Sequence, residues 1–334
     1  MAEQKLVLVT GATGYIGGRL VPRLLEAGYR VRCLVRDARR LEGRSWTDEV
    51  EVVEGDALRP ETLPPAMEGV WATYYLIHSL TDTPDYRERD IVVARNFGLA
   101  AKDVGVERIL YLGGLGDPEE KLSVHLRSRQ ETGAALREAG VPVTEFRAAV
   151  IVGTGSHSFE MVRYLTERLP VMICPRWVYT RIQPIAIRDV LSYMVGALEV
   201  PESAGQIIEI GGADVMTYGD MMKGYAKVRG LRRFLIRVPV LTPRLSAHWV
   251  HWMTPVPSGI VYPLIEGLRN EVVVRYDTAQ TLFPDSQPVS YEVAVQRALS
   301  DLKAAQVETR WTDSLTSSQG DYQPVELTTD KGLQ

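Results

Sequence analysis

The chain has 334 residues, 45% hydrophobic and 24% charged, enough for a sizeable core and for two domains or one domain with a cap. Its 38 Lys+Arg against 42 Asp+Glu leave a net charge of −4, with no excess to attract a polyanion, which argues against nucleic acid as a main partner. Two cysteines, Cys33 and Cys174, supply neither a disulfide framework nor a paired-cysteine zinc site. No apolar run approaches the roughly 20 residues that span a bilayer, so the expectation is a cytoplasmic chain without an integral membrane segment.

The run "KLVLVT" at residues 5–10 breaks at Gly11, and an amphipathic stretch from Tyr15 to Ala27 ends at Gly28, which reads as strand, turn and helix. "YRVRCLVR" is the next strand, completing a βαβ unit whose parallel sheet should carry helices on both faces. The alternation continues: "EVEVVEGD" as strand, "ETLPPAMEG" as a short helical link, "VWATYYLIHS" as strand and Asp85 to Val104 as helix. Then come "RILYLGG" as strand, a helix near Leu126 to Glu138, and "VPVTEFRAAVIVG". After Gly153 the pattern shifts. A helix-like "SFEMVRYLTERL" precedes an aromatic, Pro-bearing "PVMICPRWVYTR", and "QPIAIRDVLSYMVGALE" returns to strand then helix. "GQIIEIGG" should add a late strand, and Thr217 to about Ala305 reads as mainly helical.

The expected fold is therefore α/β: a doubly wound parallel sheet of Rossmann type with a smaller, mainly helical C-terminal substrate cap. Residues 1–155 with 183–212 would form the dinucleotide-binding part, 156–182 with 213–305 the cap, and 306–334 a polar tail.

"GATGYIGG" places Gly11, Gly14 and Gly17 between a strand and a helix, with Thr13, Tyr15 and Ile16 in the same turn. Small residues there let the backbone approach a pyrophosphate, and the helix N-terminus offers free N–H groups and a positive dipole end. After the second strand, "LVRDARR" puts Arg36 where a cation selects the extra phosphate of NADP(H) over NAD(H), with Arg39 and Arg40 close behind; Asp37 in a shifted register would favour ribose hydroxyls. Asp56 follows the third strand, where a carboxylate can accept from an adenine amino group or cap the next turn. His78 ends the fourth strand, beside the crevice of such a sheet.

Taken together, "VTGATGYIGG", "LVRD", "GDAL", "RILYLGGLGD", "GVPVTEFRAAVIVG", "QPIAIRDV" and "EIGGADVMTYGDMM" resemble the atypical extended short-chain dehydrogenase/reductase superfamily. They are most similar to its NmrA-like, NAD(P)H-binding branch of nucleoside-diphosphate-sugar epimerase homologues, over about residues 5–305. The resemblance implies that Gly11, Gly14 and Gly17 bind phosphate, that Tyr15 and Ile16 meet the pyrophosphate through their amides, that Arg36 selects NADP(H), and that Asp56 contacts adenine. In a bacterial group still more similar, a lipid- or ligand-binding-like domain follows, beginning where the polar tail lies here.

Catalytic members carry a serine or threonine after the fifth strand and Tyr-x-x-x-Lys on the next helix. This chain has Gly113 and Gly114 at the first position and His125 with Arg129 at the second. Histidine transfers protons near neutral pH unaided, whereas arginine holds hydroxyls without exchanging protons and lowers a neighbouring imidazole pKa. His125 is thus the candidate acid, Arg129 the ribose clamp, and Gly113–Gly114 a backbone wall. The bland alternative is that residues four apart simply share a helix face.

Other candidates are weaker. His248 and His251 sit at a metal-compatible spacing without a carboxylate, and Trp249, Trp252 and Met253 beside them read first as core. Tyr164, Tyr179 and Arg181 are pocket candidates, and Arg188–Asp189 matches a segment-fixing signature. The leading functional expectation is an NADP(H)-binding oxidoreductase acting on a small carbonyl, enone or alcohol. The alternatives are a non-catalytic dinucleotide sensor or partner-binding module and, third, a sugar-nucleotide epimerase or dehydratase, with homo-oligomerisation left open.

Overall fold

The structure, a computed structural model, describes residues 4–78, 86–238, 266–303 and 308–309. Seven parallel strands form the central sheet: β1 (Leu6–Thr10), β2 (Arg30–Val35), β3 (Glu51–Glu54), β4 (Ala72–Tyr75), β5 (Arg108–Gly114), β6 (Val143–Ala148) and, as the late strand, Ile207–Ile210. Their spatial order is β3-β2-β1-β4-β5-β6 followed by Ile207–Ile210. The chain direction of growth reverses between β1 and β4, and this switch point opens a crevice at the carboxyl ends of both strands.

Alternation along the strands explains why helices cover both faces. Val7 and Val9 of β1, Tyr74 of β4 and Leu110 and Leu112 of β5 share one buried cluster with Leu20, Val21 and Leu24 of α1 (Gly17–Glu26). Leu6, Leu8, Tyr75, Ile109 and Tyr111 point to the opposite side. There they meet Leu63 and Met67 of α2 (Leu63–Met67), Val93, Ala94 and Phe97 of α3 (Tyr86–Asp103) and Leu136 of α4 (Val124–Arg137). Each strand therefore reads as a near-continuous apolar run.

The C-terminal half forms a third apolar cluster, in which Phe159 and Val162 of α5 (His157–Arg168) meet Met221 and Tyr225 of a helix at Tyr218–Arg229. That later helix stops at Gly230, whose φ of +69° is the left-handed conformation glycine adopts without penalty. The mainly helical segment expected after Thr217 also carries a strand that the sequence reading did not single out: Phe234–Val238, paired in parallel with Val171–Pro175. "FLIRV" has the aromatic and branched composition of a strand, and the neighbouring "VMICP" gives it a partner.

Asp189 accepts a hydrogen bond from the Val289 amide at 2.9 Å, fixing the returning segment. Where the polar tail was expected, Glu308 and Thr309 are docked: Arg23 makes a two-pronged ion pair with Glu308 (2.6 and 2.7 Å), and Thr309 Oγ1 donates to the Tyr15 carbonyl (2.9 Å). His248, Trp249, His251, Trp252, Met253 and the rest of the tail lie outside the described residues.

Candidate active site

The glycine turn is built by close packing. A Cβ on Gly17 would lie 2.3 Å from the Gly11 carbonyl oxygen, and one on Gly11, whose φ is +66°, would lie 2.8 Å from the Leu76 carbonyl. The same contact locks the turn to the end of β4. Thr10 Oγ1 reinforces it, donating to the Tyr74 carbonyl (3.0 Å) and accepting from the Leu76 amide (2.9 Å). Thr13 and Gly14 lie in the turn itself, where the Gly14 amide donates to the Gly11 carbonyl at 2.9 Å.

Ile16 occupies the N-cap position of α1 and contributes no side-chain cap; the Gly18 amide already donates to the Gly14 carbonyl (3.0 Å), so the amides of Tyr15, Ile16 and Gly17 are the ones a ligand would meet, and the dipole favours an anionic one. The neighbouring Tyr15 ring lies under the Arg19 guanidinium, 4.7 Å from its centroid. A pyrophosphate fits this cradle: glycines where a Cβ would collide, and an uncapped helix start.

At the end of β2, Arg36 is exposed. Asp37 is turned away into local structure, its carboxylate accepting from the Arg39 amide (3.0 Å) and guanidinium (3.0 and 2.8 Å). Arg40 is held below its ordinary pKa by burial and then by the charge of Arg36, which marks two guanidinium groups facing one region. Asp56 caps its own turn, Oδ1 accepting from the Leu58 amide at 3.0 Å, so the structural half of its two readings is realised.

On the other side of the crevice stands a cluster of imidazoles. His78 ends β4 and its Nδ1 lies 3.2 Å from Oδ2 of Asp90, itself 2% exposed on α3. Nδ1 as donor to the carboxylate leaves Nε2 as an acceptor, and Nε2 is buried without a hydrogen-bond partner among the described residues. The His125 ring is 5.2 Å from that of His78, centroid to centroid, tilted by 55°.

Burial and the nearby Arg129 charge push the His78 pKa down to about 4, despite Asp90. Burial, then His78, Arg129 and His157, hold His125 well below its ordinary value, and burial takes His157, first residue of α5, to about 4. At neutral pH all three rings are therefore uncharged.

The start of α4 is pinned from two directions. Ser123 caps it by accepting from the Leu126 amide (3.3 Å), while Asn270 Oδ1 accepts from the Ser123 amide (3.0 Å). His125 thus sits on a fixed turn. Arg129 behaves differently from a clamp reaching into the crevice: its Nη2 donates to the Leu112 carbonyl, and its guanidinium lies 5.4 Å from the Tyr111 ring centroid.

Gly113 also departs from the expected cofactor wall. The space a Cβ would need is taken by the Glu145 carboxylate (3.1 Å) and the Tyr111 ring (3.2 Å), so its smallness serves packing. Gly114 instead faces Leu126 and Arg129 of α4, at 3.0 and 3.5 Å from a notional Cβ. Tyr164 is flanked by the guanidinium groups of Arg163 and Arg168, Tyr179 by that of Arg237, and Arg181 pairs with Glu271 at 3.3 Å.

Sequence reasoning missed Asp90 and His157. For Asp90 a signal existed: it shares the buried face of α3 with Val93, Ala94, Phe97 and Ala101, and a carboxylate on an apolar face needs a partner. His157 carried no such mark.

Residues 11–148 match the family described as NAD(P)H-binding. A ceramide reductase of Caulobacter vibrioides is 30% identical over 241 residues, covering 70% of this chain and 74% of that protein. The photosystem II assembly factor Ycf39 of Trieres chinensis is 25% identical over 283 residues, 79% of this chain and 83% of the relative. Among solved structures, the Citrobacter sp. triphenylmethane reductase complexed with NADP(H) superposes with a TM-score of 0.69 at 22% identity, covering 87% of this chain and 99% of that one. At that identity the likeness speaks for the fold. Among the described residues no helix is long and apolar enough to cross a membrane, and no group of side chains is arranged to hold a metal ion.

Proposed function

Because the chain belongs to the NAD(P)H-binding, atypical short-chain dehydrogenase/reductase superfamily, we propose that it is a cytoplasmic NADP(H)-dependent oxidoreductase acting on a small carbonyl, enone or alcohol. The observation that carries this reading is the Asp90–His78–His125 cluster, placed across the sheet's switch point from an uncapped glycine turn. The dinucleotide, when bound, supplies or accepts the hydride.

The protein's part is orientation and one proton. The amides of Tyr15, Ile16 and Gly17 hold the pyrophosphate, and Arg36 with Arg40 meets the ribose phosphate. Neutral His125 takes the proton of an alcohol in the oxidative direction. The imidazolium so formed returns it to a carbonyl oxygen in the reductive one. Donating its second N–H to His78 Nε2 would spread the positive charge towards Asp90, as a buried carboxylate does for any imidazole it orients. Arg129, anchored on β5, lowers the proton affinity of both rings and keeps the resting site neutral.

A second reading has one observation in its favour: no side-chain hydroxyl stands at Gly113 or Gly114, and Arg129 is engaged with the sheet, as suits a dinucleotide-binding module that does no turnover. The assembly-factor relative is in keeping with it. The test is NADPH consumption against a panel of aldehydes, quinones and enones, with His125→Ala alongside. Turnover lost in the variant supports the oxidoreductase; no turnover despite tight NADPH binding selects the module.

A further inference from the structure

Strands that are apolar on both sides are strands covered on both sides, yet among the described residues one pair here is covered on one side only. Met172 and Cys174 of the Val171–Pro175 strand are buried in the C-terminal core with Leu235 of its partner packed against it. On the opposite side, Val171 and Ile173 stand beside Phe234 and Ile236 in register, at 45%, 53%, 66% and 51% exposure. These four form one continuous apolar row on the surface.

The charge around the row is one-sided. Residues 168–182 contain three arginines, residues 221–238 contain six Lys or Arg, and neither stretch has an Asp or Glu, in a chain whose net charge is −4. Some are matched by carboxylates from other elements, as Lys227 is by Glu292 and Arg229 by Glu167. Arg232, which extends the alternation of Phe234 and Ile236, and Arg176, which follows the end of the adjacent strand, are exposed and form no ion pair among the described residues; Arg233 and Arg237 fall on the other side of the strand with Leu235, Arg233 donating to the Thr166 and Glu167 carbonyls and Arg237 lying over the Tyr179 ring.

From this combination we infer that the Val171–Ile173/Phe234–Ile236 face is a peripheral docking surface for an anionic lipid bilayer. Apolar side chains enter the headgroup boundary while arginines at the rim meet lipid phosphates, the two contributions by which such surfaces bind. A second copy of the same face would set arginine against arginine, which disfavours self-association there. Nucleic acid would use the charge but leave the apolar row without a purpose. The location has a consequence for substrate supply: α5 runs from His157 in the crevice to this strand pair, a length of about 18 Å for its twelve residues. A bilayer at the row therefore lies one helix away from the histidine cluster.

The experiment is flotation of the full chain with phosphatidylcholine vesicles, with and without about one third phosphatidylglycerol. Binding should favour the anionic vesicles by roughly tenfold and weaken as salt is raised. It should fall by a similar factor in Phe234→Ser/Ile236→Ser and in Arg176→Gln/Arg232→Gln. Val92→Ser/Leu99→Ser, which removes exposed apolar residues elsewhere, should bind like the parent. NADPH titration and thermal midpoint confirm that each variant is folded. The inference is overturned by absence of binding to anionic vesicles, or by loss in the arginine variant alone, which would mark a general polyanion site. It is equally overturned if the Phe234/Ile236 change converts an oligomer to a monomer without altering flotation.

Discussion

Replacing His78 with glutamine removes one imidazole that the crevice holds neutral, and the effect is read as a change in how stability depends on pH. In the folded chain His78 titrates at about 4 instead of the ordinary 6.5. A pKa depressed by folding means that, as pH falls through about 6.5, the unfolded chain takes up a proton while the native state refuses it until about 4. Stability from this group is therefore present above about pH 6.5 and is lost progressively down to about pH 4. A difference of about 2.5 units corresponds to about 3 kcal/mol over the full window, and to about 2 kcal/mol at pH 5.

Glutamine keeps an N–H for Asp90, so the variant should differ modestly at pH 7.5. Between about pH 7.5 and pH 5 it should lose about 1–2 kcal/mol less than the parent, allowing for relaxation around the ring. Urea unfolding at the two pH values measures this directly. Parallel losses in parent and variant would refute a buried, neutral His78.

Gly17→Ala places a Cβ 2.3 Å from the Gly11 carbonyl, so the turn must open; a lower thermal midpoint together with lost dinucleotide binding is expected, checked by calorimetry and fluorescence titration. Asp90→Asn removes the carboxylate that orients His78. Turnover should fall by about tenfold or more with NADPH affinity retained, and its pH profile should shift acidward because the charge favouring protonation is gone. His125→Ala should cost about 10²- to 10⁴-fold in turnover and leave NADPH binding in place, which steady-state kinetics and titration separate.

The sheet was legible because both-face burial writes long apolar runs, and "RILYLGG" became a strand over the same residues, Arg108–Gly114. "FLIRV" was not: its branched and aromatic composition suits a strand, but its partner lies about sixty residues away in sequence and the helical pattern before it reads as continuing through so short a run. At the site, the glycine turn could be read because its geometry depends on adjacent residues. The histidine cluster could not, because His78, Asp90, His125 and His157 come from three connections of the fold and meet only when β4, α3, α4 and α5 pack. Gly113 shows the reverse: a position inherited from a motif whose space, in this fold, belongs to Glu145.

NADP(H) selection by Arg36 is tested by titrating the purified chain with NADPH and NADH through its tryptophan fluorescence, then repeating both titrations on Arg36→Ala. Tighter NADPH than NADH binding is expected in the parent. In the variant, NADPH affinity should fall by about 10- to 100-fold, the worth of one charge-assisted phosphate contact, while NADH affinity barely changes. Binding of neither dinucleotide by the parent would contradict that selection.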